Sequence, residues 1–241
     1  MKPDRQRALI AFLAGLGLEA SGRDLSAVDE ALSHTSAGLA YNHERLEFLG
    51  DAVLRLAASA YLRRDHAGLS VGQASALRAQ LVSDRWLAEL AQRCGLAPLL
   101  RIGPVAAGDR AGRATLLAEC CEALIGAIYE SWGGADGGLG AVHIWLDPHW
   151  RRDGAELLAD PHRHNWKSAL QEWSQARGLG LPHYGCEQVS KVHADPRRFH
   201  CQVQVDGRDC GAGWGPSRRL AEQEAARMAL EQLAPRPAPG P

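Results

Sequence analysis

Three carboxylates stand at helical spacing in the stretch Glu44-Arg45-Leu46-Glu47-Phe48-Leu49-Gly50-Asp51-Ala52-Val53-Leu54. On an α-helix, at about 100° per residue, positions i, i+3 and i+7 fall within roughly 60° of one another. Glu44, Glu47 and Asp51 therefore form one column, with Leu46, Leu49, Val53 and Leu56 expected on the opposite, core-facing side. Neighbouring acids repel. A hard divalent cation, which prefers oxygen ligands, reverses the sign of that interaction. The alternative is a solvated acidic face, although no lysine interleaves with the column. A second pair, Glu119 and Glu122, sits at i, i+3 in the apolar run from Thr115 to Tyr129. Acids in so apolar a helix are expensive to bury unpaired. They either point out of the core or converge with the first column, in which case two facing helices supply four carboxylates to one metal site.

These acids need elements to hold them. The first column requires a helix from about Asn42, a plausible N-cap, to Arg64; the second requires one over 115–131, with Thr115 as cap. Gly50 inside the first helix costs about 1 kcal/mol in propensity against Ala. It points either to close approach by another backbone or to a ligand. Apolar periodicity predicts further helices over 4–16, 27–33, 71–93 and 138–147, with looser chain over 34–38 and 96–113. No strand-like alternation occurs in the first 150 residues, which predicts an all-α domain. Residues 148–164 read as a linker, being polar and interrupted by Pro148 and Pro161.

Beyond it the period changes. A short helix over 166–175 precedes strands over 182–190, 199–205 and 208–214, with Asp206-Gly207 as a hairpin turn. A helix from about Ser217 to Leu233 follows, packing through Ala221, Ala225, Ala226, Met228, Ala229, Leu230 and Leu233. The order is α-β-β-β-α, and the Pro-rich tail 235–241 is expected to be disordered. Arg218 and Arg219 at the start of the last helix oppose its dipole unless an anion binds there.

The formal net charge of −1 gives no global argument for a nucleic-acid partner. The halves tilt slightly: residues 1–150 hold 14 basic against 17 acidic residues, and residues 151–241 hold 13 against 11. The six cysteines, at 94, 120, 121, 186, 201 and 210, form no CxxC pair. With no secretory signal, they are expected to be reduced core residues of a cytoplasmic protein. No run is long enough to span a membrane.

Placed together, these segments resemble bacterial ribonuclease III over nearly the whole chain. Glu44-Arg45-Leu46-Glu47-Phe48-Leu49-Gly50-Asp51 is similar to that family's signature, Glu122-Ala123-Leu124-Ile125-Gly126-Ala127 to its second acidic motif, and residues 165–234 to a double-stranded RNA-binding domain. The resemblance implies an all-α endonuclease domain over 1–147 that works as a homodimer. It implies hydrolysis of both strands of duplex RNA, leaving 5′-phosphate and 3′-hydroxyl ends, in ribosomal and messenger RNA processing. Carried over by motif, Glu47, Asp51, Glu119 and Glu122 hold Mg2+, with Mn2+ as a substitute. Asp51 and Glu122 stand closest to the catalysis, and Glu44 is an accessory acid at the border. Ser168, Gln171 and Glu172 would reach one minor groove, His193 the next, and Ser217, Arg218 and Arg219 the phosphates between, a recognition of A-form shape.

Four departures from the family pattern stand out. Glu119 replaces the usual Asp, His43 replaces the usual Asn, Val71 and Gln73 replace frequent acids, and Leu220 and Glu222 weaken the basic helix start. Glu119 leaves open the alternative of a duplex-RNA-binding protein whose metal site no longer cleaves.

Overall fold

The computed structural model describes residues 1–109, 111–159, 166–192 and 195–233. They form two units, Met1–Pro161 and His162–Pro241.

The first unit is all-helical: α1 (Pro3–Gly15), α2 (Ser26–Ala31), α3 (Glu44–Asp65), α4 (Val71–Leu81), α5 (Asp84–Arg93), α6 (Pro104–Gly108), α7 (Arg113–Ser131) and α8 (Gly138–Ala159). Its centre is α7, buried along Leu116, Leu117, Ala118, Cys120, Cys121 and all of 123–128, with α3 and α5 packed against it. The start of α3 is set by Asn42, whose Oδ1 accepts the Glu44 N–H at 3.0 Å, although His43 is the residue preceding the first turn. Leu46 and Val53 are buried as expected, whereas Leu56 is 56% exposed. Thr115 lies inside α7; the turn before that helix is instead closed by Asp109 Oδ1, which accepts the Ala111 and Gly112 N–H groups.

Two other expectations need correction. The single helix expected over 71–93 is two, because Ser83 stops one and caps the next by accepting the Trp86 N–H at 3.3 Å. Gln73, one of the positions lacking an acid, forms a reciprocal capping box with Ser70. The helix expected over 138–147 continues to Ala159, so residues 148–159 are helical and not linker. Pro148 sits inside it. Trp150, fully buried against Trp86 and Tyr61, and Asp153, which accepts from the Trp86 and Arg93 side chains, hold the extension down. The remainder of the expected linker, 160–165, and the tail lie outside the described residues. No helix of the described residues is long and apolar enough to cross a membrane.

The second unit carries α9 (Trp166–Gln175), β1 (His183–Gln188), β2 (Phe199–Val205), β3 (Arg208–Gly215) and α10 (Arg218–Leu233). The sheet is antiparallel in the order β1-β2-β3. Asp206 and Gly207 both have positive φ, 51° and 72°, which the tight hairpin turn requires. Gly211, Gly213 and Gly215 all face α10. A Cβ on Gly213 would lie 2.3 Å from the Ala225 nitrogen, so the alanine face of α10 rests directly on strand backbone. Met228 is 41% exposed and is not part of that face. Cys186 and Cys201 are cross-strand partners and form a disulfide, correcting the expectation that all cysteines are free. Cys94, Cys120, Cys121 and Cys210 are free.

Candidate functional site

The acidic helices meet at two glycines. A Cβ on Gly50 would lie 1.9 Å from the Glu122 carbonyl oxygen, and one on Gly126 would lie 2.2 Å from that of Leu46. The close approach signalled by Gly50 is therefore to the α7 backbone. Only glycine permits it, and it sets the carboxylates of α3 beside those of α7.

Glu47 and Glu119 converge on one imidazole. His43 Nε2 lies 3.3 Å from Glu47 Oε2 and 3.7 Å from Glu119 Oε2. His34 Nε2 reaches the same Glu119 oxygen at 3.5 Å, and the two rings stack with centroids 4.8 Å apart. Burial pushes the Glu47 carboxyl above its ordinary value, helped by the charges of Glu119, Glu44 and Asp84. Glu44 itself is exposed, at the edge of the group.

Asp51 and Glu122 form the other half. Arg55, one turn along α3, pairs with Asp51 at 2.8 Å. Burial pushes Glu122 up to about 7, and the neighbouring charges of Asp51, Asp84 and Glu47 add to it. Repulsion thus links Glu47 to Glu119 and Glu122 to both Asp51 and Glu47, so the four acids act on one another as a group. Sequence reasoning missed His34, Arg55 and Asp84, and it named His43 only as a departure from the family pattern. Arg55 was legible at i+4 from Asp51. Asp84 was visible only as a first-turn acid, and its proximity depends on the packing of α5 on α7.

The donor chemistry suits a hard divalent cation. Carboxylates dominate, and they repel in a half-buried setting where a cation would offset both burial and repulsion. At the Glu119 end, His34, His43 and Glu119 bring one ligand-type atom each to within 4.8 Å of the others.

On the second unit, Ser168, Gln171 and Glu172 are exposed along α9. Ser217 caps α10, its Oγ accepting the Leu220 N–H at 3.3 Å. Arg219 is exposed, whereas Arg218 pairs with Glu222 at 3.1 Å. Glu222 also takes the Lys167 ammonium, so this acid gathers two basic groups at the helix start. His193 lies outside the described residues.

Comparison with known proteins agrees with both halves. A family model described as "Ribonuclease-III-like" matches residues 24–137, and one described as "Double-stranded RNA binding motif" matches residues 166–233. The chain is 51% identical over 209 residues to "Ribonuclease 3" of Prochlorococcus marinus, covering 87% of this chain and 82% of that one. It is 39% identical to "Ribonuclease 3 2" of a Nostoc species, covering 97% of this chain and 95% of the relative. Among solved structures it is similar to the nuclease domain of ribonuclease III from Campylobacter jejuni, in work on a region involved in dimer formation. That match has a TM-score of 0.51 and 33% identity, covering 59% of this chain and 96% of that one. With the acidic helices, the α-β-β-β-α unit and relatives matched over most of their length, the chain belongs to the ribonuclease III family.

Proposed function

We propose that this protein is a divalent-metal-dependent endoribonuclease that hydrolyses duplex RNA to 5′-phosphate and 3′-hydroxyl ends, acting in the cytoplasm on ribosomal and messenger precursors. The observation that carries the reading is the seam between α3 and α7, where two glycines hold four acids in mutual repulsion. Glu47, Asp51, Glu119 and Glu122 would hold Mg2+ or Mn2+. When bound, the cation activates water at neutral pH and offsets charge developing on phosphate oxygens.

The chain's own residues do the rest. Glu122, at about 7 without a cation, would give up its proton on meeting one, whose charge favours the ionised carboxylate. Arg55 orients the Asp51 carboxylate through its ion pair. The exposed α9 residues and the Arg218–Arg219 start of α10 suit the grooves and phosphates of an A-form helix, with His193 assigned to the second groove. Homodimerisation is supported by α3, where Phe48 is 86% exposed and Leu56, two turns on, 56%. A second copy would cover these side chains.

One observation favours a non-cleaving binder: Asp51 and Glu119 already have partners in Arg55 and the two histidines. A single assay decides. The parent chain and Glu122→Gln are incubated with duplex RNA and Mg2+. Cleavage by the parent alone supports the enzyme; intact binding without cleavage by either sinks it.

A further inference from the structure

We propose that His34 and His43 form an imidazole clamp that positions Glu119, presenting N–H groups to its carboxylate and not lone pairs to a cation. The proposal rests on the functional reading above and concerns two of this chain's own positioning residues. Two departures from the family pattern, His43 and Glu119, are here in contact, 3.7 Å apart.

The protons can be placed from the hydrogen bonds. His34 Nδ1 accepts the Ser36 backbone N–H at 3.1 Å. It lies 2.8 Å from Ser36 Oγ, which in turn accepts the Gly103 N–H at 3.0 Å. A nitrogen accepting a backbone N–H carries no proton, so in the neutral ring the proton is on Nε2, the atom facing Glu119. Among the described residues, His43 Nε2 faces the carboxylate oxygens of Glu47 and Glu119 at 3.3 and 3.7 Å, and a carboxylate oxygen accepts. That nitrogen therefore carries a proton too. Its Nδ1 is buried without a hydrogen-bond partner. The ring nitrogens of His34 and His43 and the Glu119 carboxylate oxygen lie within 4.8 Å of one another. With a proton on each Nε2, that proximity is an electrostatic contact of N–H groups with a carboxylate, at 3.5 and 3.7 Å, and not a ready ligand set.

The clamp is anchored in backbone. The His34 N–H donates to the Arg101 carbonyl at 2.9 Å, the Arg101 N–H to that of Leu32 at 2.8 Å, and the His43 N–H to that of Ser33 at 2.9 Å. A Cβ on Gly103 would lie 2.1 Å from the Ser36 carbonyl oxygen, so this strap over residues 32–36 requires glycine there. The His43 side chain is 3% exposed and that of Glu119 34%. Glu has one more rotatable bond than Asp, and fixing it costs rotamer entropy. Two imidazoles, both facing Oε2, fix it in advance. This is how groups outside a metal's own ligands hold those ligands.

The test compares Gln with Asn, because the Gln amide nitrogen reaches about as far as imidazole Nε2 and that of Asn does not. Mn2+ binding to the full chain, without RNA, is read from the electron paramagnetic resonance of free Mn2+, with melting curves confirming folding. His43→Asn should weaken Mn2+ binding about tenfold, as loss of such a supporting group typically does. His43→Gln should stay within about threefold of the parent. Because the partners touch, adding Glu119→Asp to His43→Asn should cost less than Glu119→Asp alone. In duplex cleavage, His43→Asn should lower kcat and leave KM unchanged. If His43→Asn does not fold, His34→Asn against His34→Gln makes the same comparison on the loop. The clamp is overturned if the folded Asn variant binds Mn2+ within twofold of the parent, if Gln is as damaging as Asn, if the losses multiply, or if the parent binds no Mn2+. A parent that binds Mn2+ but cuts no duplex sinks the functional reading and leaves the clamp to be judged on binding alone.

Discussion

Alanine at Gly50 tests the contact on which the site depends. Its Cβ would lie 1.9 Å from the Glu122 carbonyl oxygen, 2.6 Å from the carbonyl carbon and 3.2 Å from the Gly126 nitrogen. All three are backbone atoms, so no rotamer change relieves the clash, and α3 and α7 must separate by roughly 1.5 Å to regain ordinary contact. Alanine gains about 1 kcal/mol of helix propensity. Against that, a gap of even 0.5–1 Å forfeits about a quarter to a half of the dispersion attraction along the seam. Overpacking of a tight core costs about 1–3 kcal/mol, occasionally more, and a backbone clash belongs at the upper end. A net loss of about 3 kcal/mol lowers the melting temperature of the nuclease unit by about 6–12 °C. Activity should fall further, because Glu122 moves with its own carbonyl, and a misplacement of about 1 Å can cost about a hundredfold. The assay is circular-dichroism melting with single-turnover cleavage of duplex RNA at 25 °C. Gly140→Ala is the control, since a Cβ there meets nothing within 4 Å. A Gly50→Ala protein melting within about 2 °C of the parent and cutting within about threefold would refute the reasoning.

Three further outcomes are expected. Trp150→Ala, at a fully buried position of α8, should destabilise the nuclease unit by about 3–5 kcal/mol in denaturant titrations; an effect under about 1 kcal/mol would mean that this residue is not holding the helix down. In chelator-treated protein, Glu122 sits at about 7 against an ordinary 4.5, so the folded state holds its proton more tightly than the unfolded chain. The resulting stability is fully present below about 4.5 and is lost as pH rises through about 7, so the metal-free melting temperature should fall between about pH 5 and 8. Glu122→Gln should flatten that decline, and an unchanged slope would count against it. Arg219→Ala should weaken duplex-RNA binding equally across sequences and reduce the salt dependence by about one phosphate contact, measured by titration at several salt concentrations.

The sequence carried the helical spacing of the acids and the α-β-β-β-α order because both depend on local period. Gly50 was legible as a close approach, but its partner was not, since that choice is made by packing between α3 and α7. The meeting of His34 with His43 stayed hidden because it depends on residues 32–36 being strapped by residues 100–103, a contact no local pattern encodes. The extension of α8 failed for another reason. Pro148 and the charged residues after it argue locally for a break, whereas Trp150 pins this stretch into the core, a contact that local pattern does not show. The disulfide escaped because Cys186 and Cys201 are brought opposite by strand register and not by any motif.

The arrangement also ranks the acids. Asp51 is answered by Arg55, and Glu47 and Glu119 by the imidazoles of His43 and His34. Glu122 has no ion-pair partner among the described residues. It is more buried than an ordinary surface acid and is pushed up by Asp51, Asp84 and Glu47. Burial and the repulsion of the neighbouring acids push this carboxyl up to about 7, and they raise Glu47 as well. A cation entering the group would gain most there, because it would relieve burial and repulsion at once. The glycine seam fixes where that gain is realised: the carbonyl pressed against Gly50 belongs to Glu122, so the same backbone contact that joins the two helices sets the position of their least satisfied acid.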